Sequence, residues 1–175
     1  WKKCWRKKTP ERKRPERMKK TALVFLFLLF CVPAQAAPAT YVYDPLHTQV
    51  MFSVGHMGFS FPHGMFLKFS GEFTFDPDRP ETSQAAMTVD TASLDMNSEA
   101  WEKHLQSADF FNVEKFPAMT FRTTKVEKTG DKTARVTGDF TLLGVTRPIV
   151  LAVTFNGMGA HPMNKNQMAG FSATG

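Results

Sequence analysis

Cysteine is nearly absent from this chain of 175 residues, which has only Cys4 and Cys31. Both precede residue 37, so the remainder has no cysteine nucleophile, no thiolate metal site and no disulfide. Long apolar runs are missing as well. The most apolar stretch, residues 21–32, is twelve uncharged residues long, well short of the roughly 20 that a membrane-spanning helix needs. No stable membrane anchor is therefore expected. There is no Gly-x-Ser-x-Gly elbow, no phosphate-cradling glycine loop and no dinucleotide fingerprint. The sequence thus lacks the usual marks of acyl, phosphoryl and hydride transfer, and neither a catalytic residue nor a cofactor is expected.

Acidic residues are few at one end only. Residues 1–36 hold eleven of the 22 lysines and arginines but only two of the 16 acidic residues, leaving eleven basic against fourteen acidic residues in the rest. The formal charge of +6 therefore belongs to the leading segment. The remainder is mildly acidic and does not suit phosphate neutralisation, so nucleic acid is excluded as a partner. Met18-Lys19-Lys20, the apolar run and Ala34-Gln35-Ala36 form a complete secretory signal over residues 18–36, with cleavage expected after Ala36 and a periplasmic destination. Residues 1–17 show no hydrophobic periodicity and read as a basic extension upstream of the true start.

What is plentiful in residues 37–175 is alternation with a period of two. Val50, Phe52 and Val54 form one row, and Leu67, Phe69, Gly71, Phe73 and Phe75 another. Val136, Gly138, Phe140 and Leu142 form a third, and Ile149, Leu151, Val153 and Phe155 a fourth. Each row alternates with mostly polar neighbours, as in strands with one sheltered and one wet face. Strands are predicted over 41–54, 65–75, 84–91, 118–127, 133–142, 148–155 and 167–175. Turn signals separate several of them at Asp76-Pro77-Asp78, Thr129-Gly130-Asp131 and Asn156-Gly157. One all-β domain with an antiparallel sheet or barrel follows. The one break in this rhythm is a short helix at residues 98–107, capped by Asn97 or Ser98, paired at Glu99 and Lys103, and apolar along Trp101, Leu105 and Ala108.

Three segments carry a family likeness: His47-Thr48-Gln49-Val50-Met51-Phe52-Ser53-Val54-Gly55-His56, the run His104 to Phe121 with its Asp109-Phe110-Phe111 corner and Phe116-Pro117 step, and Thr141-Leu142-Leu143-Gly144-Val145-Thr146-Arg147-Pro148. In this order and spacing they resemble the YceI-like family, periplasmic lipocalin-like barrels that bind polyisoprenoid and other long-chain lipids. The resemblance covers about residues 40–175. It implies a barrel of about eight strands, of which the last is missing because the sequence stops at Gly175 within an alternating run, and an open edge of that kind favours a homodimer. It also implies a soluble carrier of an isoprenoid lipid or quinone. The tunnel would be lined by Val50, Phe52, Val54, His56, Phe69, Phe73, Phe75, Met119, Phe121, Phe140 and Leu142. Trp101, Leu105, Phe110 and Phe111 would form a lid or barrel end, with Phe116 also beneath the helix.

Fourteen of the seventeen phenylalanines lie in residues 37–175 and support an aromatic-lined cavity, and Gly71 and Gly138 on the inward phase would leave room for a ligand or another backbone. Where relatives carry Arg-Asp ahead of the His-Leu pair, this chain has Trp101-Glu102. Asp109 is expected to turn or cap the backbone at the corner. His47, His56, His63, His104 and His161 fall on at least four elements with no paired spacing, so structural or head-group hydrogen bonding is expected in place of metal. Three alternatives stand beside this reading: a fatty-acid or fatty-amide carrier, an enzyme on a barrel scaffold acting through His56 or His104, and a stress-linked interaction module whose pocket is only a core.

Overall fold

The row Ile149, Leu151, Val153 and Phe155 falls within the longest strand of the fold, Val145–Ala160. The computed structural model describes residues 38–175; the expected secretory signal, the expected basic extension and both cysteines lie outside the described residues. Ten strands and one α-helix are formed: β1 (Ala39–Val42), β2 (Val50–Ser53), β3 (His63–Phe66), β4 (Phe69–Phe75), β5 (Gln84–Asp90), β6 (Leu94–Asp95), α1 (Glu99–Gln106), β7 (Ala118–Lys128), β8 (Thr133–Leu142), β9 (Val145–Ala160) and β10 (Gln167–Thr174). A seven-stranded antiparallel sheet runs in the order β1-β4-β5-β7-β8-β9-β10, and β2, β3 and β6 make a second, three-stranded sheet. The large sheet curls until Phe75 of β4 meets Phe155 of β9 and Phe171 of β10, with ring centroids 5.1 and 5.0 Å apart. It is a nearly closed, lipocalin-like antiparallel barrel.

Burial along β9 follows the sequence pattern residue by residue. Ile149, Leu151, Val153 and Phe155 are half-buried, and Val150, Ala152 and Thr154 are exposed. The strand starts three residues earlier than predicted because β8 and β9 are joined by a two-residue turn. Leu142 pairs with Val145, and Leu143 (φ 53°) with Gly144 (φ 72°) makes the left-handed connection whose twist matches that of the flanking strands.

The predicted first strand, 41–54, is divided. Asp44 accepts the Leu46 and Thr48 amide hydrogens, at its carboxylate and its carbonyl oxygen respectively, so residues 44–49 form a turn and β2 leaves for the small sheet. The 65–75 run breaks likewise: β3 pairs with β2 and β6, whereas β4 pairs with β1 and β5. Alternation continues across both breaks, which is why period alone does not mark them.

The small sheet and α1 close one end of the barrel. Phe66, Leu94 and Met96 from the small-sheet side meet Val89 of β5, Met119 of β7 and Leu105 of α1 in the buried core. α1 lies within the predicted span and is capped differently from the expectation. Ser98 is the N-cap but makes no side-chain cap bond; instead the Glu102 carboxylate accepts the amide hydrogens of Met96 and Ser98 at 3.0 and 3.2 Å. The expected Glu99–Lys103 pair is not among the ion pairs of the described residues.

The Phe116-Pro117 step has a clear structural use. Thr91, 1% exposed, donates its hydroxyl to the Phe116 carbonyl at 2.7 Å and its amide to the Pro117 carbonyl at 3.0 Å. One residue thus fixes where β7 begins against the end of β5. Thr91→Val keeps the shape but removes the hydroxyl, stranding a carbonyl acceptor. A loss of about 1–3 kcal/mol is expected, read from the midpoint of urea unfolding; an unchanged midpoint would show that the carbonyl finds another donor.

Candidate functional site

The inward positions sort into three groups according to what already fills the space around them. At the helix end, Val50, Phe52, Phe69, Phe140 and Leu142 pack against the core that includes Met119, together with Met87, Trp101 and Phe111. The Phe52 ring lies 5.4 Å from Phe66 and 5.9 Å from Phe111. Of the proposed lining residues, these six are thus engaged with the protein's own side chains. The small sheet brings Val50 and Phe52 there, which a single continuous barrel strand would not do.

At the opposite end the filling is aromatic. Phe73 stacks on Tyr41 at 5.0 Å, and Phe171 meets Phe73, Phe75 and Phe155 at 5.0–5.6 Å. Offset and edge-on pairs of this kind add to simple area burial. Tyr43 joins the cluster against Phe73, and burial pushes its phenol pKa up. The β4–β5 turn beneath is tied by Asp76. Burial works to raise its carboxyl pKa, but hydrogen bonds from the Asp78 and Arg79 amides and from the Arg79 guanidinium outweigh this and hold it below the ordinary range.

Between the two ends lies the third group, on β8 to β10. Val136, Ile149, Leu151 and Val153 are half-buried on the inner face, paired in register as Val136 with Leu151 and Gly138 with Ile149. Together with the half-buried faces of Phe155 and Phe171, they make a continuous apolar floor. The alternation already put β9 on the inner face. What it did not show is that the first-strand residues pack against the buried core while Ile149, Leu151 and Val153 stand outside that packing, both sets being half-buried.

Of the two glycines on the inward phase, Gly138 is buried and Gly71 is exposed. A Cβ at Gly138 would run into the Phe121 ring and lie 2.6 Å from the Arg122 carbonyl oxygen, so the ring of Phe121 fills that place and no ligand space is left. At Gly71 the neighbour is backbone, the Ala86 carbonyl.

The lid and corner residues also separate. Leu105 is buried at 4% exposure, and Trp101 packs beside the core with its ring centroid 6.3 Å from that of His56. Phe111 lies beneath α1 against Phe52 and Phe66. Phe110 turns outward, 42% exposed, with its ring 4.9 Å from His104. Phe116 sits under the β8–β9 turn, where a Cβ on Gly144 would be 2.8 Å from its ring, and so lies away from the helix. The corner is wound by the Phe111 amide donating to the Leu105 carbonyl and by Ser107 Oγ accepting the Asp109 amide hydrogen. Ser107 therefore performs the capping expected of Asp109, because the helix ends two residues earlier.

The histidines do not converge. His47 bonds Asp44 at 2.7 Å, and His161 Nδ1 accepts amide hydrogens from Met163 and Asn164. His56 is exposed on a hairpin beyond β2, outside the inward row in which the alternation places it. His104 faces Phe110 and makes no acid–base pair with Asp109. Among the described residues, no three His, Cys, Asp or Glu side chains are grouped to hold a metal ion.

Against known proteins, the model of the YceI-like domain matches residues 41–175. A UPF0312 protein of Ectopseudomonas mendocina is 43% identical over 160 residues, covering 90% of this chain and 83% of that protein. One from Pseudomonas putida is 46% identical over 142 residues, 80% and 73% of the two chains. Among solved structures, Burkholderia cenocepacia BcnA aligns with a TM-score of 0.64 at 28% identity, covering 67% of this chain and 73% of its own. The Campylobacter jejuni YceI protein aligns with a TM-score of 0.62 at 33% identity over 76% and 77%. With its barrel, its helix-capped end and these matches, the chain belongs to the YceI-like family.

Proposed function

We propose that this protein binds a long apolar molecule, an isoprenoid lipid or quinone-like chain, along the inner face of β8–β10, and carries it without chemical change. The observation that carries this reading is the row Ile149, Leu151, Val153 and Phe155: four apolar side chains in succession on one face, each still partly open to solvent. A contiguous apolar surface of this kind suits a ligand-binding groove, and a single sheet of about this size can hold one small ligand. The ligand lies on this floor between two filled ends, so the binding element is a trough; the first-strand and helix-end residues shape its limits.

Apolar burial is sufficient for affinity. Each methylene contributes roughly 0.8 kcal/mol, so a five-carbon unit is worth on the order of 4 kcal/mol. Six such units would exceed the ceiling of about 21 kcal/mol for non-covalent complexes, so chain-ordering costs absorb much of the gain. Selectivity for chain length is then gradual. The secretory segment at residues 18–36 supports an exported, periplasmic carrier.

Trp101 half covers the helix end, and removing its ring opens that end. Trp101→Ala is expected to speed lipid release several-fold, read by stopped-flow transfer to acceptor vesicles; unchanged release would leave α1 as a structural plug. The reading as a whole is tested by native mass spectrometry and solvent extraction of protein purified from its own host. A co-purifying prenyl lipid supports it, and a fatty acid or amide redirects it to another apolar ligand. Protein that neither arrives with nor takes up any long-chain lipid overturns it, and turnover of such a lipid would require an enzyme.

A further inference from the structure

β2 and β3 continue past their sheet as a hairpin arm. The Val54 amide donates to the Pro62 carbonyl at 3.1 Å, and the His56 amide to Ser60 at 2.9 Å. Met57 turns the tip with φ 52°, a backbone conformation that a methionine side chain seldom adopts. The arm touches the helix end through His56, whose ring centroid lies 6.3 Å from that of Trp101. Its apolar side chains stand in solvent: Met57 is 79% exposed, Phe59 88% and Phe61 69%. Between Asp44 and Lys68 the chain has no aspartate, glutamate, lysine or arginine, so nothing on this arm carries a fixed charge.

Three large apolar side chains on one uncharged tip need a partner. A stable protein interface takes roughly 800 Å² and about 20–30 residues from each side, far more than this tip presents. A bilayer interface has no such requirement: it accepts each apolar side chain independently and asks for no shape match. We propose that the hairpin Gly55–Pro62 is a membrane-docking tip that inserts Met57, Phe59 and Phe61 into the interfacial region of a phospholipid bilayer. The His56–Trp101 contact places this tip beside the helix end of the barrel. Docking does not depend on what the barrel carries, and its failure would leave the trough unaffected.

The test is hydroxyl-radical footprinting of the full chain with and without phosphatidylcholine vesicles. Met163, 87% exposed on the β9–β10 connection, is the internal reference. Oxidation of Met57, Phe59 and Phe61 is expected to fall with vesicles while that of Met163 stays constant. The double substitution Phe59→Ser, Phe61→Ser removes two anchors, each worth about tenfold in partition, and should return Met57 to its vesicle-free reactivity. Equal oxidation of Met57 with and without vesicles overturns the proposal, even if the chain is held on vesicles by another segment. Equal protection of Met163 overturns it too, as does Met57 protection that survives in the double variant.

Discussion

Leu151→Glu is expected to weaken retention of a long-chain lipid at least about 100-fold, close to 2.7 kcal/mol, while leaving the barrel folded. Leu151 is only half-buried, so without ligand a carboxylate there keeps contact with water and costs the fold little. A bound acyl or prenyl chain would cover that carboxylate with hydrocarbon and no partner, and burying an unpaired charge is far more costly than 2.7 kcal/mol. Ligand would therefore be excluded, or forced to leave the charge hydrated and give up its contacts along β9. Val150→Glu is the matched control, because Val150 is 48% exposed on the opposite face of the same strand. Displacement of a fluorescent prenyl probe should separate the two variants. Equal affinities would place the ligand away from β9.

Gly71→Ala is expected to destabilise the protein by at least about 3 kcal/mol, a large share of the 5–15 kcal/mol of an ordinary domain. Gly71 has φ +136°, where an L side chain is strained whatever the surrounding space. Here the space is also filled: the new methyl would meet the Ala86 carbonyl oxygen, a backbone atom of the paired strand. The ladder cannot yield locally, because Phe69 pairs with Val89 on one side and Phe73 with Ala85 on the other. Both flanking pairs include side chains held in the two packed ends. Urea unfolding followed by circular dichroism gives the number directly. A loss under about 1 kcal/mol would mean that β4 re-registers with little strain.

Fold class was legible because one physical signal, alternation, is written into nearly every strand. Ile149, Leu151, Val153 and Phe155 read inward from the sequence and are inward in the barrel, since a strand's two faces follow from covalent geometry alone. The helix was legible for the complementary reason: Trp101 and Leu105 repeat at helical spacing and Leu105 is buried, whereas Ala108 lies past the helix end and is exposed. The Phe116-Pro117 step announced a strand start, and β7 begins at Ala118.

The candidate site was less legible, because the sequence states which face a residue is on and is silent about what stands opposite. Val50 and Phe52 alternate correctly, yet the Asp44 turn sends them to a separate sheet that packs into the core. Gly138 lies on the inner face, yet the ring of Phe121 fills its place. Phe110 and Phe111 are adjacent in sequence, but one is exposed and the other lies under the helix.

The chain by itself determined the two-faced strands, the helix, the Phe-Pro step and the membership of a barrel family, since each rests on local geometry and spacing. Only the tertiary structure decided which inward side chains satisfy one another and which stay accessible. Packing is settled between segments far apart in sequence, and burial at one position depends on side chains that period and propensity never mention.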